Sequence, residues 1–225
     1  PRPTRSRAAF AVAWRCAAGM PAYTRGTSTF SRSVSFGSRL YCWKIKPSIS
    51  LRTADAQTYD KILKENNAQL TTILCTHGHY DHVGSAGVLS REWGAKLYCE
   101  PTDCRGTQLL PLKGSDSGYE EGEVIPLDEL SFTVWHTPGH TEGSVVLLCE
   151  NYLFVGDTVF QGSIGRTDLE GGDSRKMDES LRKFAALPVP AEAQVLPGHG
   201  EFSTFGEERD NNYFIRSAQR GNADF

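Results

Sequence analysis

Residues 75–85 read CTHGHYDHVGS and place three histidines and one aspartate within the six positions from His77 to His82. The whole chain of 225 residues contains only six histidines. At a frequency of about one in forty, two further histidines at set offsets from His77 would arise by chance about once in a thousand sequences. The clustering indicates a metal site, because imidazole and carboxylate groups are common protein ligands of transition metals.

Three other short segments repeat the arrangement seen at this cluster. In each of them a predicted strand ends and a residue that can bind a metal follows in the loop. These segments are TPGHTEGS with His140, VGDTVF with Asp157 and LPGHGEF with His199. Because loops on a rigid sheet often carry converging functional groups, we expect these three residues to meet the cluster in the folded chain.

The number of candidate ligands is itself informative. The candidates are His77, His79, Asp81, His82, His140, Asp157 and His199. A tetrahedral zinc ion takes four ligands, or three plus water, so seven candidates exceed one site. Two divalent ions that share one bridging carboxylate would use all seven. Zinc is our first choice by general frequency, and iron or manganese suit the same ligand types.

Apolar periodicity gives a coarse reading of the secondary structure. Helices are predicted at 54–69, 84–94, 174–187 and 205–219, and strands at 70–76, 95–100, 130–137, 143–150, 151–157 and 193–198. Asp173 or Ser174 can act as the N-cap of the third helix. Residues 102–126 lack clear periodicity and predict a surface loop with at most short structure.

Charge divides the chain into two parts, 1–53 and 54–225. Residues 1–54 hold ten Lys or Arg and no acid, which leaves 14 of the 24 basic residues and all 27 acidic residues to 55–225. The acidic part argues against a nucleic-acid partner, which requires a basic footprint. No run of about eighteen apolar residues is present, so no membrane association is expected. The sequence leaves the oligomeric state open.

The segment 1–53 has the Arg-rich, Ser-rich, acid-free composition of an organelle transit peptide. This interpretation predicts a mitochondrial or plastid location. The alternatives are an upstream region included by the gene model, with Met20 as a start, or a genuine basic arm; the location would otherwise be cytoplasmic. We expect little ordered structure there.

The six cysteines show no CxxC pair and no regular spacing, and they are Cys16, Cys42, Cys75, Cys99, Cys104 and Cys149. Disulfide frameworks belong mainly to small secreted domains, so we expect free thiols in a reducing compartment.

The four motifs together carry a family resemblance. In this order THGHYDH, TPGHTEGS, GDTVF and PGHG resemble the metallo-β-lactamase-fold hydrolases, and GDTVFQGSIGRTDLEGGD is most similar to their glyoxalase II-like branch. The resemblance implies an α+β fold, an αββα sandwich, with a two-metal site at the edge between the sheets. It also implies that His77, His79 and His140 hold the first ion, that Asp81, His82 and His199 hold the second, and that Asp157 bridges both.

The implied activity is hydrolysis of a small-molecule, glutathione-based thioester. The expected substrate is an S-2-hydroxyacylglutathione such as S-lactoylglutathione, attacked by a hydroxide that bridges the two metals while Asp81 steers its proton. The 26 residues after His199 are too few for the helical domain that follows in glyoxalase II, so a short form of the enzyme is expected.

Two other functions stay open. One is a persulfide dioxygenase that acts on glutathione persulfide with one iron held by His77, His140 and Asp157. The other is a metal-binding protein without catalysis. Outside the ligand set, His136 is expected to be an ordinary hydrogen-bonded residue. Arg166 with Asp168 is expected to form an ion pair that shapes a loop, and contact with substrate is the alternative.

Overall fold

The computed structural model describes residues 6–12, 56–65, 68–127 and 130–221. Its helices and strands are, in chain order, β1 (Ser6–Val12), α1 (Ala56–Glu65), β2 (Ala68–Cys75), α2 (Tyr80–Val83), α3 (Ala86–Trp93), β3 (Lys96–Tyr98), β4 (Val124–Leu127), β5 (Leu130–His136), β6 (Val145–Cys149), β7 (Tyr152–Gly156), β8 (Val159–Phe160), β9 (Ser163–Ile164), α4 (Ser174–Ala185), β10 (Gln194–Pro197), β11 (Ser203–Thr204), α5 (Phe205–Asn211) and α6 (Tyr213–Arg220). A 3-10 turn lies at Pro101–Asp103.

The strands form two main sheets. The first contains β1, β2 and β3 in this order, and all three run parallel. The second has the order β11-β10-β7-β6-β5-β4, in which only β7 and β10 pair in parallel. Strands β5, β7 and β10 therefore run in one direction, so that their carboxyl ends lie at the same edge of the sheet.

Alternating side chains place a hydrophobic core on each face of these sheets. On β2, Ile73 packs in the core beneath α1 and α3, whereas its neighbour Leu74 packs between the sheets. On β7, Val155 packs in the core beneath α4, whereas its neighbour Phe154 packs between the sheets. Two sheets with helices on both outer faces are the αββα sandwich that the resemblance implied, and the predicted fold class is confirmed.

Large apolar side chains hold the helices on the sheets. Leu63 of α1 and Leu89 of α3 cover the first sheet. Met177, Leu181 and Phe184 of α4 cover the second and are fully buried. Each side chain of this size contributes about 1.5–3 kcal/mol when it leaves water, so the outer helices fix the sheet edges from which the loops emerge.

Most of the local predictions are confirmed. The helix predicted at 84–94 ends at Gly94, which adopts a left-handed φ of 64°. Asp173 is the N-cap of α4 and accepts hydrogen bonds from the backbone N–H of Arg175 and Lys176. The strands predicted at 143–150 and 151–157 are β6 and β7, which form an antiparallel hairpin with Cys149 paired to Tyr152 across its turn.

The prediction of one terminal helix over 205–219 is wrong, because the structure has two helices there, α5 and α6. The helical conformation is interrupted at Asn212, whose ψ of 122° is extended. The side chain of Asn212 accepts a hydrogen bond from the backbone N–H of Phe214. Its Nδ2 donates to the carbonyl oxygens of Phe160 and Ser163 in the β8–β9 hairpin. The helix stops because this asparagine caps the next helix and binds a separate segment.

Ser6–Val12 lies within 1–53 and forms β1, which pairs in parallel with β2 from Ser6 to Val12, with a register shift between Ala8 and Ala9. The backbone of β1 satisfies an edge of β2 that would otherwise be unpaired. The remaining residues of 1–53 lie outside the described residues, and so do the predictions of a leader and of a location.

Cys75, Cys99, Cys104 and Cys149 are free thiols, as expected.

Among the described segments, no helix combines the length and the apolar character needed to cross a lipid bilayer.

Candidate metal centre

Four loops meet at the edge where β2, β5, β7 and β10 end. The loop after β2 brings His77 to His82, and the three loops after β5, β7 and β10 bring His140, Asp157 and His199. The two sheets are joined beside these loops, because the backbone N–H of Val145 donates to the carbonyl of Thr76 at 2.8 Å. The structure brings all seven predicted residues together.

The first triad consists of His77, His79 and His140, which are all buried. One ligand atom from each lies within 4.8 Å of the others. His79 Nδ1 and His140 Nε2 face each other at 2.9 Å. The other ring nitrogen of His140, Nδ1, donates to the carbonyl oxygen of Arg166 at 2.7 Å. Since a carbonyl only accepts, the hydrogen is on Nδ1 and Nε2 is left with a lone pair for a metal.

The second triad consists of Asp81, His82 and His199. His199 Nε2 lies 3.3 Å from His82 Nε2 and 3.3 Å from Asp81 Oδ2. His82 Nε2 lies 3.7 Å from Asp81 Oδ2. The side chain of His82 is buried, whereas those of Asp81 and His199 are 24% and 27% exposed, so the second triad faces the open side of the site.

Asp157 lies between the two triads. Its Oδ2 is 3.5 Å from His140 Nε2 in the first triad and 3.4 Å from His199 Nε2 in the second. Its Oδ1 is 3.4 Å from His82 Nε2. One carboxylate therefore contacts ligand atoms of both triads, which is the arrangement that a bridging ligand requires.

These distances and unpaired atoms fit metal ions. Ligand atoms around a tetrahedral zinc ion at 2.0–2.1 Å are about 3.3 Å apart, close to the spacings in both triads. His77 Nε2 and Asp157 Oδ1 are buried without a hydrogen-bond partner among the described residues. Burying polar atoms unpaired is costly, so such atoms point to a ligand that completes them. The cluster is capable of binding metal ions.

The pKa values of His77, His79 and Asp81 favour the protonation states that metals need, whereas that of His199 does not. Burial, reinforced by neighbouring imidazoles, lowers the pKa of His77 well below its usual value and that of His79 to about 4. Burial would raise the pKa of Asp81, but the hydrogen bond from His199 and the field of His82 lower it to about 2. Neutral imidazoles and ionised carboxylates bind cations without first losing a proton. His199 differs, because its hydrogen bonds to Asp157 and Asp81 raise its pKa to about 10.

Gly198 in the PGHG motif leaves room for the site. A Cβ at this position would overlap Asp157 Oδ1 and lie 2.6 Å from His82 Cε1. The motif therefore contributes the close approach of its backbone as well as the candidate ligand His199.

His136 and the Arg166–Asp168 pair make the contacts that were predicted for them, but one buried residue beside the site was not predicted. His136 Nε2 bonds the carbonyl of Tyr119 at 3.2 Å, and Arg166 forms a two-bond ion pair with Asp168 at 2.6 Å. No role was predicted for Asp103, which is fully buried and accepts hydrogen bonds from two of the loops that carry candidate ligands. A single aspartate in a polar loop without periodicity carries no signal that distinguishes it from its exposed neighbours.

Sequence comparison places these features among known proteins. A profile described as the metallo-beta-lactamase superfamily matches residues 50–199. The hydroxyacylglutathione hydrolase GloC of Haemophilus influenzae is 32% identical over 72% of this chain and 84% of its own length. A hydroxyacylglutathione hydrolase of Photobacterium profundum is 34% identical over 68% of this chain and 59% of its own length.

Solved structures give a similar picture. The BLEG-1 B3 metallo-beta-lactamase is 32% identical, with a TM-score of 0.64 over 72% of this chain and 84% of its own. TTHA1623, solved in a di-iron-bound form, is 31% identical, with a TM-score of 0.61 over 71% and 85%. ETHE1 from Myxococcus xanthus is 25% identical, with a TM-score of 0.60 over 75% and 78%.

Proposed function

Because the chain belongs to the metallo-beta-lactamase superfamily, we propose that it is a hydrolase that uses two divalent metal ions to cleave a glutathione thioester. The observation that carries the proposal is the position of Asp157. Its carboxylate lies within 3.5 Å of ligand atoms in both triads, so it can serve two ions at once. A site for one ion would need only one of the triads.

Each group of residues has a separate task in this proposal. His77, His79 and His140 hold one ion, Asp81, His82 and His199 hold the other, and Asp157 bridges them. When bound, two divalent ions supply an activated water and polarise a substrate carbonyl. Asp81 faces the open side and is ionised, so we assign it the proton that the attacking water loses.

The substrate class follows from chemistry and from relatives. The similarity to two hydroxyacylglutathione hydrolases supports an S-2-hydroxyacylglutathione, with S-lactoylglutathione as the first candidate. A cysteine thiol has a pKa of about 8.5, so it leaves as a thiolate without a strong general acid. Apart from Asp81, the site therefore needs no residue that acts as a general acid on the leaving thiolate.

Zinc is our first choice of metal, and iron is the alternative because a relative was solved in a di-iron-bound form. The competing persulfide dioxygenase would need only His77, His140 and Asp157. The second triad favours hydrolysis, because three ligand atoms within 4.8 Å of one another would otherwise have no use.

The test measures metals and both reactions on the full chain. Metals per chain are determined by mass spectrometry, hydrolysis by the loss of S-lactoylglutathione, and oxygenation by oxygen uptake with glutathione persulfide. We expect two metals, thioester cleavage and no oxygen uptake. One iron with oxygen uptake would overturn the proposal in favour of the dioxygenase. Metals without either activity would instead favour a non-catalytic metal-binding protein.

A matched pair of histidine variants ties the activity to the site. His77→Ala removes a member of the first triad, whereas His136→Ala removes a histidine outside both triads. We expect the first variant to lose metal and thioester cleavage and the second to keep both. Equal behaviour of the two variants would place the activity elsewhere.

A further inference from the structure

Asp103 ends the 3-10 turn at Pro101–Asp103 and is fully buried. Its Oδ2 accepts hydrogen bonds from the backbone N–H of Gly78 at 2.8 Å and from Thr141 Oγ1 at 2.7 Å. Its Oδ1 accepts one from the backbone N–H of Gly143 at 2.9 Å. Three donors satisfy this carboxylate, and none of the three is a cation.

The three donors belong to the loops of the first triad. Gly78 lies between His77 and His79, and Thr141 directly follows His140. Asp103 therefore joins the loop from the first sheet to the loop from the second. These three bonds reach no residue of Asp81, His82 or His199, which form the second triad.

Two glycines allow Asp103 this close approach. A Cβ on Gly78 would lie 2.5 Å from the Asp103 carbonyl oxygen and 2.7 Å from Asp103 Cβ. A Cβ on Gly143 would overlap Glu100 Cβ and lie 2.8 Å from Asp103 Cγ. Neither glycine has a positive φ, so close packing, and not backbone conformation, excludes a side chain: Asp103 excludes it at Gly78, and Glu100 together with Asp103 excludes it at Gly143.

We propose that Asp103 is a positioning residue for the first triad, which holds the His77–His79 loop and the His140 loop at the separation that one metal ion requires. The inference rests on the proposed function, because it assumes that this triad binds a metal. Residues that orient metal ligands from behind typically change metal affinity by about 10- to 100-fold when they are replaced.

The test uses Co²⁺, whose visible absorption reports ligand geometry, in full-length chains in which one of the two triads has lost a member. His199→Ala leaves the first triad intact, and His79→Ala leaves the second intact. Asp103→Asn is added to each, since it keeps the shape but loses one acceptor oxygen. We expect Co²⁺ binding to weaken by about 10- to 100-fold, with a changed spectrum, where only the first triad remains. Where only the second triad remains, binding should be unchanged.

Glu208→Gln is the matched control. Glu208 is also a buried carboxylate, which accepts from the backbone N–H of Gly162 at 3.0 Å and from Asn212 Nδ2 at 2.8 Å, but it holds no ligand loop. The Glu208→Gln variant should have a lower melting temperature and an unchanged Co²⁺ affinity. Equal weakening at both triads, or equal weakening by Glu208→Gln, would overturn the inference.

A milder pair covers the case in which Asp103→Asn does not fold. Thr141→Val removes one donor to Asp103 at nearly constant volume, and Thr141→Ser restores the hydroxyl. Valine should weaken Co²⁺ binding at the first triad and serine should recover it; no loss with valine would refute the inference. If the unmodified chain binds no Co²⁺, the proposed function itself fails and the inference falls with it.

Discussion

The seven candidate ligands come from two differently built regions. The loop after β2 supplies four of them within six consecutive residues, His77 to His82. The second sheet supplies the other three from three loops, in which His140, Asp157 and His199 are each separated by at least 17 residues. Both triads nevertheless mix the regions: His140 completes the first and His199 completes the second.

The difference shows two ways to encode a site. The contiguous loop is visible in sequence as a cluster, because a short helix and a tight turn bring its side chains together locally. The dispersed ligands converge only because β5, β7 and β10 run in the same direction and end at one edge. The contiguous ligands depend on local geometry, and the dispersed ligands depend on the whole second sheet.

The largest expected effect comes from Asp157, the dispersed ligand that contacts both triads. Asp157→Asn removes the charge that would bridge the two ions, so we expect thioester cleavage to fall by at least about a thousandfold, with fewer than two metals per chain. Steady-state kinetics and metal analysis measure this. Asp210→Asn, on an exposed carboxylate of α5, is the control and should keep full activity.

Gly198→Ala tests whether the backbone of a dispersed loop matters as much as its ligand. The added Cβ would displace Asp157 or His82, so we expect loss of the second metal and a fall in activity of about 10- to 100-fold. Gly114→Ala is the control, because nothing lies within 4 Å of a Cβ there. Two metals retained in Gly198→Ala would show that the loop can move aside.

Asn212→Ala tests the support of the β8–β9 hairpin that follows Asp157. The variant loses the cap of α6 and leaves the carbonyls of Phe160 and Ser163 without their donor. We expect the free energy of unfolding to fall by about 2–3 kcal/mol, measured by urea denaturation. The exposed neighbour variant Asn211→Ala should change it little. An equal loss in both variants would contradict this role of Asn212.

The smallest expected effect is at the start of α4. Asp173→Ala removes the side chain that accepts from the backbone N–H of Arg175 and Lys176, and should cost about 1 kcal/mol of stability. Asp173→Asn keeps an acceptor and should lose much less. Thermal unfolding of the two variants compares them, and a loss of equal size would mean that charge, and not capping, stabilises this end.

The sequence predicted features whose signal is local. The His77–His82 cluster, the N-cap Asp173 and the alternating strands depend on residues close in the chain, and all are found in the structure. The break at Asn212 was missed, because asparagine is compatible with a helix unless a separate segment, here Phe160 and Ser163, offers its side chain partners. Asp103 was missed for the same reason: its hydrogen-bond partners at Gly78 and Gly143 are 25 and 40 residues away.

The strand β1 shows the limit of composition. The acid-free, Arg-rich composition of 1–53 gives no sign of a strand, whereas Ser6–Val12 pairs with β2 through backbone hydrogen bonds, which do not depend on side-chain charge. The metal roles of the seven residues stay predictions, since proximity and protonation state support them without measuring affinity.

The hydrogen bond from His140 Nδ1 to the carbonyl of Arg166 links a ligand ring to the glycine-rich loop between β9 and α4. A molecule that moves the backbone at Arg166 will also tilt the imidazole of His140. The electron density that Nε2 offers to an ion then changes without any movement of the sheets. Cobalt in the first triad would therefore act as an optical reporter of the position of this loop.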